Sequence, residues 1–473
     1  MTFEIEKTSE TEARLTRINA EDILEDTIVI PEKVDGYIIT SLGRCFAKNI
    51  KAKKLVMSNQ VKLLENGAFI DSRLKEIVIP SSISKIPQKC FYHASVEKVT
   101  FEDPSGVKHI GHSAFKGTIG LTELIWPSGC DSIPKQCFSR SKIQHLFNTE
   151  NITTIGEAAF YSSDLQEFTV PKSVTSIPFG AFERSDIHSL TFEAPEKIIY
   201  IGGSAFYATL KLEDFVWPSG CQTIPYACFK YSGINSISGL EAVTIIEKEA
   251  FAGTDHLKTI IWPSKCKTIP MKCFAHSGLK EISNTEHVTA VETAAFCLTD
   301  ISEITLLNVS TIGTSCFENS KLRKTIIKCP DSSSMEINPR AFSGTNLLDS
   351  IDWPAGCEEI PDGCFSLSGL SKITGIENVV KIGCSAFKST KLTSIAIPCK
   401  CEKIPSDCFA KTKQLDSVVI DSSSIKFDVK AFDGSSIKEI DVTACETVQV
   451  SALDWQDLVP KMKLDFDTRI FSR

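Results

Sequence analysis

The sequence predicts a mainly β repeat solenoid of about 18 coils, each 22–23 residues long, with one short parallel strand per coil. Three observations lead there. A small residue followed by phenylalanine recurs at Phe46, Phe69, Phe91, Phe115, Phe138, Phe160, Phe182, Phe206, Phe229, Phe251, Phe274, Phe296, Phe317, Phe342, Phe365, Phe387, Phe409 and Phe432. No step between them is shorter than 21 or longer than 25 residues, which is the period of a stacked array. Each coil also repeats the apolar offsets L-x-x-I-x-I-P-x-x-V-x-x-I-x-x-x-A-F, whose I-x-I alternates with the period of a strand, whereas helical periodicity is nearly absent.

In chain order, residues 1–45 read as an N-terminal cap. Val34-Asp35-Gly36-Tyr37 places Asp-Gly between apolar stretches, the signal of a hairpin, with Phe3, Ile5, Leu15 and Ile18 upstream. The repeats fill 46–453. Within a coil such as Leu165 to Phe182, Pro171 ends the strand because it cannot donate to a ladder, and Val174 and Ile177 lead the chain back to Ala181-Phe182. A lone coil has an open apolar edge, so stacking is what stabilises it. A second period lies over the first. The residue before Phe alternates between Cys and Ala, with Ala181 as the one departure, and Trp-Pro runs at Trp126, Trp217, Trp262 and Trp353 alternate with Asn148, Gly239, Asn284 and Gly375. Asn and Gly there predict a tight turn or a positive φ. Residues 448–453 read as a worn nineteenth coil with Leu453 in the phenylalanine position, and 454–473 as a C-terminal cap.

The chain has 473 residues, 42% of them hydrophobic, and a net charge of −8, so a core can be buried. No Lys/Arg cluster and no interleaving of aromatic with basic residues stands out along the sequence, which speaks against nucleic acid as partner. The acidic start Met-Thr-Phe-Glu lacks the pattern of a signal peptide, and no apolar run is long enough for a transmembrane segment. These features point to the cytoplasm.

Of 18 cysteines, eight stand just before the repeated Phe, where other coils carry Ala. Six more, Cys130, Cys221, Cys266, Cys357, Cys401 and Cys445, stand where other coils carry Val. Buried reduced thiols explain both sets. The C-x6-C spacing at 130/137, 221/228, 266/273, 357/364 and 401/408 is open to a second reading as intracoil disulfides in an oxidising compartment, where the sequons at Asn151 and Asn308 would also matter. His109 with His112, and Cys384 with Cys399 and Cys401, lack a second ligand pair nearby, so no metal or other cofactor is expected. The G-x-S stretches at Ser113, Ser204 and Ser385 fall at one turn of the repeat and lack the closing glycine of a nucleophile elbow. No catalytic residues are expected.

Residues flanking the inner apolar residue of each I-x-I strand point away from the core. One such row carries Glu76, Glu123, His145, Glu167, Asp214, Glu281 and Glu303, and the next carries Ile125, Phe147, Val216 and Ile261. The acidic row beside exposed apolar residues is the candidate partner-binding strand face, with Ile125 and Phe147 as anchors.

The offsets, the turn Ile110-Gly111-His112-Ser113-Ala114-Phe115 and the run Val34-Asp35-Gly36-Tyr37 resemble the BspA-like leucine-rich repeats of bacterial surface proteins and parasitic protists, over residues 28–453. The resemblance implies a curved, right-handed leucine-rich-repeat-like solenoid with its strands side by side on one face, and a role in binding proteins or host surfaces. Two functions follow as expectations. One is a non-enzymatic scaffold with a protein partner on the strand face, and the other is a surface or secreted adhesin or antigen for host or matrix ligands.

Overall fold

The computed structural model describes residues 2–19, 26–46, 51–330 and 334–472. Parts of the expected caps, at residues 1, 20–25 and 473, lie outside the described residues. The chain divides into two compact units, 1–242 and 243–473. Each is a mainly β solenoid of parallel strands, as the period predicts.

In the first unit the wide ladder runs from Thr27–Val29 through strands such as Glu76–Ile79, Glu123–Ile125 and Glu167–Val170 to Ser236–Ser238. In the second it runs from Thr259–Ile261 to Met462–Lys463. Pairing is in register: Glu167 faces Ser189, Phe168 faces Leu190, and the inner residue is buried while its neighbours are exposed or half-buried. A second ladder of two-residue strands follows each proline turn, as where Ser132-Ile133 pairs with Thr154-Ile155.

The third side of each coil is the turn built around the repeated Phe. Its backbone N–H donates to the carbonyl of the small residue before the next Phe, as from Phe91 to Ala114 (2.7 Å) and Phe138 to Ala159 (2.8 Å). Only a small side chain lets successive turns approach so closely, which explains the choice of Cys or Ala. The rings form a column of nine in each unit, Phe46 to Phe229 and Phe251 to Phe432. Successive centroids lie 5.0 to 5.9 Å apart in the first unit and 5.2 to 5.8 Å in the second, and most pairs are stacked with nearly parallel planes. From Phe69 on, the residues two before and two after each Phe have positive φ, for example Gln136 (53°) and Arg140 (57°) around Phe138.

The residue three after Phe is Ser or Thr in nearly every coil, a regularity that sequence reading missed. In many coils its buried hydroxyl donates to the Phe carbonyl, as from Ser141 to Phe138 (2.7 Å) and Thr345 to Phe342 (2.7 Å), whereas the hydroxyls of Ser72, Ser232, Ser320 and Ser435 are buried without a partner among the described residues. Each such bond offsets the cost of burying the hydroxyl.

The two-coil unit has a structural cause. Trp126, Trp217, Trp262 and Trp353 are buried, each with its indole N–H donating to the carbonyl of the Cys four residues on, as from Trp126 to Cys130 (3.2 Å). In the following coil Asn148 and Asn284 have φ of 59° and 60°, and their amides donate to the Trp126 and Trp262 carbonyls (2.6 and 2.7 Å). Gly239 and Gly375 take the same place with φ of 77° and 76°, where an added β-carbon would come 2.6 Å from the Trp217 or Trp353 carbonyl oxygen. The positive φ expected of these residues is therefore present.

At the N-terminal end the Asp35-Gly36 turn joins Lys33–Val34 to Tyr37–Leu42 as the expected hairpin. Thr2–Lys7 and Glu12–Asn19 form a second hairpin that pairs in parallel with Tyr37–Leu42, burying Leu15 and Ile18. The C-terminal end departs from expectation. Leu453 is 79% exposed and does not occupy a phenylalanine position. The chain turns through the helix Trp455–Leu458, buries Leu458 instead, and then continues both ladders: Met462–Lys463 joins Glu439–Asp441, and Arg469–Ser472 joins Thr447–Val450.

Candidate functional site

The strand register decides where the candidate residues fall. In the first unit Glu123 faces His145 and Ile125 faces Phe147 across a parallel pair, while Glu76, Glu167 and Asp214 face Lys98, Ser189 and Ser236. In the second unit Ile261 faces Ser283, Glu281 faces Thr259, and Glu303 faces Lys324. The carboxylates are exposed and His145 is half-buried. Ile125, Phe147, Val216 and Ile261 are 63%, 50%, 65% and 70% exposed. Strands this short alternate strictly, so burying Leu124 or Phe215 forces both neighbours outward.

Ile125 and Phe147 are brought together, and the His145 ring lies 6.2 Å from that of Phe147. Beside them Lys98–Phe101 and Glu123–Ile125 belong to different sheets. The separation opens a cleft of ≈ 410 Å³ lined by Lys98, Thr100, Pro104, Glu123, Ile125 and Phe147. Several acids of the row are engaged: Glu167 lies 3.3 Å from His188 Nε2, Asp214 accepts the Ser236 hydroxyl (2.6 Å), and Glu76 lies 3.9 Å from Lys54. Among the described residues Glu123, Glu281 and Glu303 are in no ion pair. The arrangement is an apolar pair with Glu123 and Lys98 at its edge.

The other candidates take structural places. Ser113, Ser204 and Ser385 sit at the left-handed position two before a column Phe, with φ of 56°, 54° and 56°. Cys401 donates its thiol to the Lys403 carbonyl (3.5 Å), while Cys384 and Cys399 are exposed. Among the described residues no group of three or more His, Cys, Asp or Glu could hold a metal ion. Both residues of every C-x6-C pair are buried thiols, and burial raises each thiol pKa, far above the usual value for Cys137, Cys228, Cys273, Cys364 and Cys408. No helix among the described residues is long and apolar enough to cross a membrane.

Residues about 22 apart become neighbours on the Phe-turn flank. There the Arg140 and Arg184 guanidinium carbons lie 5.8 Å from the centroids of Tyr161 and Tyr207.

No curated protein matches the chain. Among solved structures it is similar to a leucine-rich repeat protein from Bacteroides ovatus, with 18% identity over 100% of this chain and 98% of that one and a TM-score of 0.48. It is also similar to one from Eubacterium ventriosum, with 19% identity over 68% and 84% and a TM-score of 0.41. A leucine rich cell surface protein from Faecalibacterium prausnitzii shares 18% identity over 89% and 94%, with a TM-score of 0.35. The model of the BspA type leucine rich repeat region matches residues 40–161, 84–211, 222–333 and 335–457, most of the sequence. With the Phe columns and paired ladders described above, that match shows that this chain belongs to the BspA-type leucine-rich repeat family.

Proposed function

We propose that this protein is a non-enzymatic scaffold that binds another protein on the outward strand face of its first unit. The observation that carries the reading is the exposed pair Ile125 and Phe147, in register on neighbouring strands above a ≈ 410 Å³ cleft, with Glu123 at its edge. Exposed aromatic anchors in a concavity are what interfaces concentrate their energy on. Repeat solenoids present such extended faces for binding. The acidic row, Glu76, Glu123, Glu167 and Asp214, selects a partner segment carrying basic residues around an apolar anchor. In the second unit an exposed aliphatic side chain recurs at Ile261 beside Glu281 and Glu303, a lesser version of the same chemistry.

The reading places the protein in the cytoplasm, where unpaired thiols persist. The alternative of an exported adhesin is separated by antibody labelling of intact and permeabilised source cells. The binding face itself is tested by crosslinking from a photoreactive residue at position 147, with Ile125→Asp and the triple reversal Glu123→Lys, Glu167→Lys, Asp214→Lys as challenges. All of these positions are at the surface, so the fold should persist. A crosslinked protein that disappears with either challenge supports the reading, and an unchanged set of crosslinks refutes it.

A further inference from the structure

The Phe-turn flank of the first unit carries a row of cations that no strand-face function uses. Lys89 stands two before Phe91, Lys116 one after Phe115, and Arg140 and Arg184 two after Phe138 and Phe182, so stacking sets the two arginines at the same place of the turn two coils apart. Lys116 lies between Lys89 and Arg140, and its pKa is lowered by burial and then by these two charges. Its ammonium reaches a neutral partner, the Gln136 side-chain oxygen at 2.9 Å. Among the described residues no carboxylate lies within ion-pair distance of Lys89, Lys116, Arg140 or Arg184, although ion pairs between neighbouring coils are frequent elsewhere, as for Lys135 with Glu157 and Lys142 with Asp164. Glu183, beside Arg184, is half-buried, and burial raises its pKa against the pull of that arginine.

The arginines are held in place. Arg140 lies over the Tyr161 ring and Arg184 over Tyr207, the same pairing two coils apart. A guanidinium laid on an aromatic face keeps its N–H edges free for bidentate contact with carboxylates. Among the described residues the corresponding positions of the second unit, which include Gly253, His276, Leu298 and Lys411, show no such pair. We propose that this flank is a second interaction surface, which binds an extended acidic segment of a protein laid along the coils. Two coil steps make about 10 Å at the strand spacing, and an extended chain in the three-fold polyproline II form covers about 9 Å in three residues while returning every third side chain to one face. Carboxylates at every third residue therefore meet Arg140 and Arg184 in register. Nucleic acid fits less well, because base stacking needs open aromatic faces and the arginines cover those of Tyr161 and Tyr207.

The test is fluorescence anisotropy on the full chain with a labelled peptide of about 13 residues carrying Glu at every third position. The comparison probes are the same composition with Glu at every second position, the peptide with Lys in place of Glu, and an oligouridylate. The expected result is salt-sensitive binding of the first peptide, weaker binding of the second and none of the Lys peptide. Arg140→Gln with Arg184→Gln should weaken binding about tenfold or more, and Arg140→Lys with Arg184→Lys should weaken it several-fold although charge is kept. Lys381→Gln with Lys403→Gln, the same charge loss in the second unit, should leave it unchanged. Circular dichroism establishes that each variant is folded, and the probe comparisons stand on the unmodified chain. Equal affinity for the two acidic spacings, an unaffected arginine variant, or tighter binding of the oligouridylate removed by that variant would each overturn the proposal.

Discussion

Replacing Phe160 with alanine tests whether the ring column is what holds the first unit together. Phe160 is fully buried, with ring centroids 5.6 Å from Phe138, 5.3 Å from Phe182 and 5.5 Å from Phe168. Removing a buried phenylalanine costs about 3–5 kcal/mol through lost transfer energy and the cavity left behind. Phe160 stacks or tilts against three other rings, and each such pair adds about 0.5–1.5 kcal/mol beyond its burial, so the expected value lies toward the upper end. Exposed Phe147 serves as the control. Its replacement by alanine is expected to cost under about 1 kcal/mol, because it fills no core position. Urea denaturation gives both values. Hydrogen exchange read by mass spectrometry then locates the damage. In a quasi-one-dimensional array each coil touches only its neighbours, so faster exchange should centre on the coils of Phe138, Phe160 and Phe182 and fade along the unit. A Phe160→Ala loss no larger than that of Phe147→Ala, or an increase in exchange spread evenly over the unit, would refute the reasoning.

Three further outcomes are expected. Asn148→Ala should cost about 2 kcal/mol, from the lost bond to the Trp126 carbonyl and the strained positive φ, whereas Asn148→Gly should be nearly neutral because Gly239 and Gly375 already fill that place; melting curves of the two variants decide it. Leu298→Gly and Leu367→Gly, at φ of 57° and 61° on exposed turns, should each stabilise by up to about 1 kcal/mol, the relief of left-handed strain exceeding the entropy that glycine adds to the unfolded chain, and an unchanged or lower melting temperature would count against the backbone reading. Buried Cys137 has a folded-state pKa raised by burial, so its contribution is fully present below the unfolded thiol value of about 8.5 and is lost as pH rises above it; Cys137→Ala, which copies Ala114 and Ala159, should flatten the alkaline loss of stability, while alkylation of the folded protein should reach Cys384 and Cys399 first.

Acid stability offers a local test at the C-terminal ladder. The Lys463 ammonium and the Thr443 hydroxyl and N–H hold the Asp441 carboxyl down to about 2. A depressed folded-state pKa contributes stability that is present above the unfolded value of about 3.9 and is lost as pH falls through the folded one. Asp441→Asn should therefore flatten the pH dependence of stability between those two values. An unchanged acid profile would mean that the Met462–Lys463 strand is not held by this contact.

What the sequence made legible was whatever repeats at a fixed offset. The Phe column, the alternation of inner Leu124 and outer Ile125, and the positive φ of Asn148 and Gly239 each follow from a local rule applied once and repeated by the period. Leu453 failed the same reasoning because a helical turn at Trp455–Leu458 breaks the offset, so a residue later in the chain, Leu458, reaches the core. The basic flank was hidden for the opposite reason. Arg140 and Tyr161 are 21 residues apart, close to the spacing of neighbouring column residues in general, so no window along the chain shows them as a cluster. A solenoid turns separation by one period into contact. Charge in such a chain has therefore to be read down the coils: the net −8 describes neither the acidic strand face nor the cationic turn flank, and the two surfaces of one unit can take partners of opposite charge.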